Sequence, residues 1–127
     1  MEGAGAMLVR TLEDVTGTRG EEHGCKWHNM RLLHPEDGAG LVFADCILEE
    51  GYETAEGPQH HTQVCYCLEG EGYLEELEAG LVHKIKPGTL FALDAQGGHR
   101  LRADTRMRMI RTFAPAHPNT ETQGTGG

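Results

Sequence analysis

Positively charged and aromatic side chains are scarce in this chain of 127 residues. Eleven Lys and Arg face twenty Asp and Glu, which gives a formal net charge of −9 at pH 7. Nucleic acid and acidic membrane surfaces would repel that charge, so we expect neither as a partner and expect a small-molecule substrate instead. Three Phe, three Tyr and one Trp, set against 18 Gly, indicate many turns around a modest core. That composition favours short strands over long helices.

Long apolar runs are absent as well. No stretch approaches the roughly 18 apolar residues of a membrane span. Residues 1–7 have neither the basic start nor the apolar segment of a secretory signal, so the sequence predicts a cytoplasmic protein. The four cysteines of a chain without an export signal are expected to be free thiols, with no disulfide.

The length fits one domain. We expect a disordered leader over residues 1–6, the domain over 7–115 and a flexible tail over 116–127. Glycine and proline turns separate short apolar or alternating segments, and no segment has a long helical period. One helical turn is predicted after Thr11, a β-turn at 35–38, and loops at 17–24 and 51–59. The predicted strands are 8–10, 27–33, 40–48, 61–69, 72–76, 80–85, 89–93, 99–103 and 107–113, a rhythm typical of an all-β barrel or sandwich.

The most unusual segment is 59–72, where polar residues enter a predicted strand. Because side chains alternate along a strand, His61, Gln63, Cys65 and Cys67 share one face. If that face lines a barrel, an imidazole, an amide and two thiols point into one cavity, which makes it the candidate active site. The two thiols are candidate nucleophiles or metal ligands, but buried cysteines are more often small apolar fillers, and the sequence favours that alternative.

Two further residues attract a functional interpretation. Alternate residues of 107–113 share one face, and that face is apolar apart from Arg111. If the Arg111 side chain is buried, its charge needs a partner, either an acid of the barrel or an anionic substrate. The alternative is that the side chain reaches out to solvent. His99 follows a glycine pair at the start of a strand, where it is a candidate general acid or base, or alternatively a packed histidine. Asp45 and the outward Arg108 are expected to be solvated.

Several motifs together resemble those of the ectoine synthases, small enzymes of the cupin superfamily. The similarity covers about residues 7–121. It implies an all-β, single-domain cupin fold (a small, jelly-roll-like β-barrel), a head-to-tail homodimer, and a metal-dependent condensation that closes an acetylated diaminobutyrate to a cyclic amidine with loss of water. The most specific pieces are LVRTLED at 8–14, Trp27 with RLL at 31–33, YCLEGEG at 66–72, IKPGTLFALD at 85–94 and HRLRA at 99–103.

The resemblance also implies which residues hold the metal ion. At these positions the sequence differs from the family pattern. The family holds iron with a glutamate, a tyrosine and a histidine, and the matching positions here are Gln63, Phe91 and His99. A phenyl ring cannot coordinate a metal, and an amide oxygen is a weaker ligand than a carboxylate. Two alternatives stay open, a site without metal and a shifted iron or zinc site formed by His61, Gln63 and His99, with His60 as a further candidate ligand.

The substrate wall implied by the resemblance is mixed. Trp27, Arg31 and Phe113 match the family, Tyr52 matches a position near the substrate, and Cys46 replaces a threonine. Arg111 replaces a cysteine. With Cys65 and Phe91 from the same cavity, these residues form the candidate substrate-binding set: Trp27, Arg31, Cys46, Tyr52, Cys65, Phe91 and Phe113.

These residues predict a lyase or cyclase that closes or dehydrates a small anionic substrate other than the ectoine precursor. The candidate catalytic residues are His99, Arg111 and Gln63: Arg111 would hold an anionic oxygen and His99 would move the proton. The alternatives are a genuine iron-dependent ectoine synthase and a non-catalytic cupin that binds a small molecule.

Overall fold

The computed structural model describes residues 7–56, 62–93 and 97–114. They form ten strands and two short helical segments, so the predicted all-β class is confirmed. In chain order the elements are α1 (Leu12–Val15), β1 (Glu21–Gly24), β2 (Trp27–Leu33), a 3₁₀ turn (Pro35–Asp37), β3 (Val42–Leu48), β4 (Glu53–Glu56), β5 (Thr62–Glu69), β6 (Gly72–Glu76), β7 (Leu81–Ile85), β8 (Leu90–Leu93), β9 (His99–Ala103) and β10 (Met107–Ala114).

The strands are arranged in two antiparallel sheets. The larger has the order β1-β2-β3-β10-β5-β8, and the smaller has the order β4-β9-β6-β7. Alternate side chains from both sheets meet in one apolar core, as in a β-sandwich. Its buried members are Cys46, Leu48, Cys67, Leu74, Ile85, Leu101, Ala103, Met107 and Met109.

The predicted hairpin between residues 27 and 48 is confirmed, because β2 pairs antiparallel with β3. Its connection contains the Pro35–Asp37 turn, which ends at Gly38 with a left-handed φ of 82°. The helical turn predicted after Thr11 is confirmed too. Thr11 caps α1, since its hydroxyl accepts a hydrogen bond from the Asp14 amide while the Asp14 carboxylate accepts one from the Thr11 amide.

The predicted strand at 8–10 is wrong. In that segment Leu8 and Val9 are exposed, and the backbone is irregular. A side chain holds it instead: the Arg10 guanidinium donates to the Leu32 carbonyl at 2.7 Å and to the Asp37 carboxylate at 2.9 Å. Leu8 and Val9 led us to predict a strand because both are apolar. Among the described residues, however, no strand pairs with this segment.

Two predicted loops contain strands. Residues 21–24 of the first loop form β1, which pairs with β2 through a two-residue turn of Cys25 and Lys26. Residues 53–56 of the second form β4, which pairs with β9. Both strands are rich in polar residues, so they lack the apolar alternation by which a strand is recognised.

One surface prediction is also wrong. Asp45 is only 6% exposed, because the Arg108 side chain lies over it. Arg108 donates from Nε to one carboxylate oxygen at 3.0 Å and from Nη2 to the other at 2.6 Å. This bidentate pair replaces the water that we expected around Asp45, whereas the Arg108 side chain stays 36% exposed.

Some predictions fall outside the described residues: the leader 1–6, His60, His61 and the tail 116–127. The domain limits 7–115 therefore stay a prediction. No helix within the described ranges is long and apolar enough to cross a membrane.

Candidate active site

Strand register gathers the candidate residues on the inner face of the larger sheet. On β10, Arg111 lies opposite Ala44 of β3 on one side and Cys65 of β5 on the other. The row continues to Arg31 beyond Ala44 and to Phe91 beyond Cys65. Side chains at such cross-strand positions are close neighbours, so Arg111 lies at the centre of the predicted set.

Gln63 is the hydrogen-bond partner of Arg111. Its amide oxygen, oriented by the hydrogen-bond network, accepts from Arg111 Nη2 at 3.0 Å and from Nε at 3.3 Å. The Cys65 sulfur lies 3.4 Å from the same end of the amide. On the other side, the Phe113 ring centre is 5.2 Å from the guanidinium carbon, a cation–π distance. Arg111 is thus held by an amide and an aromatic ring, both neutral.

The guanidinium stays charged in this setting. Burial alone lowers the pKa of Arg111, but its interactions with Cys46, Cys65 and Glu56 outweigh that effect and the pKa is raised. Burial raises the pKa of the Cys46 and Cys65 thiols above their usual range, so both are protonated near neutral pH. Neutral thiols are poor nucleophiles, which agrees with a packing role.

His99 faces Arg111 from the smaller sheet, next to a glutamate. It is 7% exposed, and its cross-strand neighbour on β4 is Glu56. His99 Nε2 lies 3.6 Å from Glu56 Oε1. Burial lowers the pKa of His99, Arg111 lowers it further, and Glu56 partly opposes both effects. The imidazole is therefore neutral near pH 7 and able to accept a proton.

Glu56 is a site residue that the sequence analysis missed, because residues 51–59 were assigned to a loop. Strand alternation could have identified it, because side chains two residues apart share one face of a strand. Counting in steps of two from Tyr52, a predicted site residue, leads through Thr54 to Glu56. All three line the same internal cavity. Burial raises the pKa of Tyr52 above its usual value.

That cavity is small and shares lining residues with a larger groove. It leaves about 20 Å³ for the centres of water molecules, enough for about one water. A groove of about 610 Å³ between β7 and β8 shares Phe91, Leu93 and His99 with it, and its volume is in the range of small-molecule sites. The cavity is lined by Cys46, Leu48, Tyr52, Thr54, Glu56, Gln63, Phe91, Leu93, His99, Leu101, Met109 and Arg111.

Six predicted residues therefore line one cavity: Cys46, Tyr52, Gln63, Phe91, His99 and Arg111. Cys65 is the cross-strand neighbour of Arg111, and the Phe113 ring centre lies 5.2 Å from the Arg111 guanidinium carbon. Trp27 packs against the apolar core. Arg31 is almost fully buried and ion-paired with Glu22, to which its Nε donates at 3.2 Å. The places of Trp27 and Arg31 in a substrate wall stay predictions.

The donor set of the described residues does not fit a divalent metal. The Gln63 oxygen already accepts two hydrogen bonds from a cation, and Phe91 offers no donor atom. Among residues 7–56, 62–93 and 97–114, no three His, Cys, Asp or Glu side chains converge as a metal site would require. His61, the third ligand of the predicted shifted site, is outside those ranges.

Comparison with known proteins identifies the family. The sequence model of the family "Ectoine synthase" matches residues 7–127. The L-ectoine synthase of Halalkalibacterium halodurans is 42% identical over 121 residues, 95% of this chain and 94% of that protein. The crystal structure of the ectoine synthase from P. lautus superimposes with a TM-score of 0.85 at 35% identity, covering 95% of this chain and 87% of that one.

A more distant structure supports the fold. A cupin from Shewanella frigidimarina superimposes with a TM-score of 0.64 at 23% identity, covering 78% of this chain and 85% of that one. The resemblance drawn from the motifs is thereby confirmed along nearly the whole chain. The chain belongs to the ectoine synthase family and is a cupin enzyme of the lyase type.

Proposed function

We propose that this chain closes a ring in an acetylated diaminobutyrate with loss of water, the reaction that forms ectoine. The relatives that match it over nearly their full length are L-ectoine synthases, and this favours the ancestral substrate over the different one that the altered residues predict. The structural observation that carries the proposal is that Arg111, a charged donor, and His99, a neutral imidazole, line the same enclosed cavity.

The reaction suits these two groups. The free amine of the substrate attacks the carbonyl carbon of its own acetamide, a carbon–nitrogen bond forms, and the carbonyl π-electrons move onto oxygen. Arg111 would stabilise that developing negative charge. His99 would take a proton from the attacking nitrogen and return it to the departing oxygen, which leaves as water after a second proton from nitrogen, so the product is a cyclic amidine.

The groove of about 610 Å³ that shares Phe91, Leu93 and His99 with the cavity has the volume for such a substrate, and its walls would help the substrate to fold upon itself. Phe91 and Leu93 present apolar surface beside His99. Holding an amine against its own carbonyl can supply roughly 7 kcal/mol or more of a ring-closing barrier. Exclusion of bulk water also strengthens the interaction between the guanidinium and the developing charge.

A second candidate is the same ring closure on another small anionic substrate. The observation that favours it is the changed chemistry of three residues: Gln63, Phe91 and Arg111 differ from the family pattern at the iron and substrate positions. A guanidinium in place of a thiol would select a substrate group that is anionic or strongly polar.

The test is a direct assay of the purified full-length chain with acetylated diaminobutyrate, with ectoine followed by proton NMR. The Halalkalibacterium halodurans enzyme serves as the positive control, and a His99→Ala variant as the negative control. Ectoine formation by the chain, and its loss in the variant, would support the proposal. Absence of ectoine under conditions in which the control enzyme works would contradict it and favour the second candidate.

A further inference from the structure

We infer that the fixed positive charge of this site is the Arg111 guanidinium instead of a bound metal ion, and that Gln63 positions it. The inference deepens the proposed function and rests on it wherever turnover is measured. Its metal-binding part is independent of any substrate.

The first argument is that Gln63, the group that directs Arg111, does not cancel its charge. The Gln63 oxygen accepts from Nη2 and Nε, Cys65 lies opposite Arg111 on the neighbouring strand, and the Phe113 ring centre lies 5.2 Å from the guanidinium carbon. Each of these groups is neutral, whereas Glu56 acts on the guanidinium through its charge and raises the pKa of Arg111. An amide therefore fixes the direction of the guanidinium as a carboxylate would, but without cancelling its charge.

The second argument is that the unusual residues form one physical unit. Gln63 is hydrogen-bonded to Arg111, and Arg111 lies opposite Cys65, which in turn lies opposite Phe91. An oxygen that accepts two hydrogen bonds from a cation is a poor ligand for a second cation. The same contact that holds Arg111 therefore removes Gln63 from any metal site, and the phenyl ring of Phe91 cannot replace it.

The third argument is that Arg111 retains donors for a substrate. A guanidinium carries five N–H groups in a fixed fork, and Gln63 accepts from Nη2 and Nε. Arg111 lines the same cavity as His99. A carbonyl oxygen placed there would receive a preorganised charged donor, the stabilisation that a Lewis-acidic metal provides in other enzymes.

The metal part is tested by elemental analysis of full-length protein grown with added iron and zinc and purified without chelator, supported by anaerobic titration calorimetry with Fe²⁺ and Zn²⁺. Wild-type protein is compared with His99→Ala, which removes the site's imidazole. We expect the two proteins to have the same metal content and the same titration. A near-stoichiometric metal ion present in the wild type and lost in His99→Ala would overturn the inference.

A gain-of-binding variant makes the comparison sharper. The triple variant Gln63→Glu, Phe91→Tyr, Arg111→Cys restores the residue types that the family places at these positions. We expect it to bind Fe²⁺ in the calorimeter where the wild type does not. Binding of Fe²⁺ by the wild type as tightly as by the triple variant, and dependent on His99, would contradict the inference.

The charge part is tested by the turnover of acetylated diaminobutyrate in the presence of EDTA, which we expect to leave the rate unchanged. Arg111→Met should lower kcat by about 10²–10³-fold, as loss of an oxyanion donor does, and added guanidinium ion at millimolar concentration should restore part of it. Turnover that requires Fe²⁺ would overturn the inference. If neither protein nor any addition yields ectoine, the proposed function fails, and the metal comparison still decides this inference.

Gln63→Glu separates positioning from structure. The glutamate has the same shape and accepts the same two hydrogen bonds, so a purely structural role would be preserved. The carboxylate of the new glutamate neutralises the guanidinium charge, so we expect kcat to fall by about tenfold or more. The melting temperature should not decrease. Unchanged kcat in this variant would contradict the positioning role.

Discussion

At the scale of single residues, the candidate active site holds two opposite charges inside an apolar sandwich. Arg111 brings the positive charge, and Glu56 brings a negative charge that helps to raise the pKa of Arg111. Sequence analysis anticipated that Arg111 needs an anion and left open whether protein or substrate supplies it. The structure places a protein carboxylate within the same cavity, so a substrate meets a site whose charge is already partly compensated.

We predict that Glu56→Gln lowers the free energy of unfolding by about 1–3 kcal/mol, because it removes the carboxylate that faces His99 and Arg111. The control is Glu53→Gln on the same strand, where Glu53 lies at the surface 3.5 Å from Arg100 and should change stability by less than about 0.5 kcal/mol. Urea unfolding of both variants measures the difference. Equal effects would show that Glu56 does not compensate the buried charge.

At the scale of the elements, close backbone crossings decide which turns can carry a side chain. The turn between β5 and β6 begins at Gly70, which has a φ of +88°. A Cβ there would collide with the Arg106 carbonyl and lie 2.7 Å from the Met107 Cα. The sequence predicts a turn at this place, but the β9–β10 connection that crosses it is visible only in the tertiary structure.

Gly70→Ala should therefore destabilise the protein by roughly 3 kcal/mol or more, because backbone atoms cannot move aside for the new methyl group. Gly80→Ala is the matched control: Gly80 also has a positive φ, +72°, but nothing lies within 4 Å of its Cβ position. The Gly80→Ala variant should lose only about 1–2 kcal/mol of unfolding free energy, the cost of an L side chain at a positive φ. Chemical denaturation gives both values, and similar losses would refute the steric explanation.

A pH-dependent clamp joins the N-terminal segment to the β2–β3 connection. The hydrogen bond from Arg10 lowers the pKa of the Asp37 carboxyl below its ordinary value of 3.8, and the His34 amide adds to the effect against the opposing influence of burial. A carboxyl with a lowered folded pKa contributes stability that is present above its unfolded pKa and is lost as pH falls through the folded one.

Asp37→Asn should thus cost about 1 kcal/mol at neutral pH, and the difference from the wild type should shrink as pH falls below 3.8. Melting curves across that range measure it. Arg10→Met should remove the same interaction, so the double variant should be little less stable than either single one. A wild-type advantage that persists at acid pH would rule out the ion pair as its source.

At the scale of the whole molecule, packing of the two sheets separates one cysteine from the rest. Cys25 is exposed at the tip of the β1–β2 hairpin, whereas Cys46, Cys65 and Cys67 are buried, and all four are free thiols. Cys67 belongs to the apolar core, whereas Cys65 lies 3.4 Å from the Gln63 amide, and the expectation that both act as small apolar fillers stays a prediction. The predicted homodimer concerns assembly and stays a prediction.

We predict that a thiol reagent such as dithionitrobenzoate modifies only Cys25 rapidly in the native protein and all four cysteines after unfolding. Burial excludes the reagent and raises the pKa of the three inner thiols, which keeps them protonated and slow. Cys25→Ser should abolish the rapid reaction. A second thiol that reacts rapidly in this variant would show that the interior is more accessible than the fold implies.

Much of this protein follows from sequence pattern alone. Alternation along 107–113 and 63–67 predicted the inward faces, turns at Gly70, Gly80 and Gly88 predicted the strand boundaries, and a set of motifs predicted the family. These features are local, since strand period and turn chemistry depend on neighbouring residues. The polar strands β1 and β4 were missed because they carry no apolar alternation. They form because they pair with neighbouring strands, which no local pattern shows.

The sequence by itself determined that this chain is a cupin of the ectoine synthase family and that Arg111 lies on an inner face, and the resemblance led us to predict that Gln63, Phe91 and His99 occupy the iron positions of the family. Only the tertiary structure decided that Gln63 directs the Arg111 guanidinium and that Glu56 stands beside His99. Such pairs join strands far apart in the sequence, and their contacts are set by sheet register and packing, which no local pattern encodes.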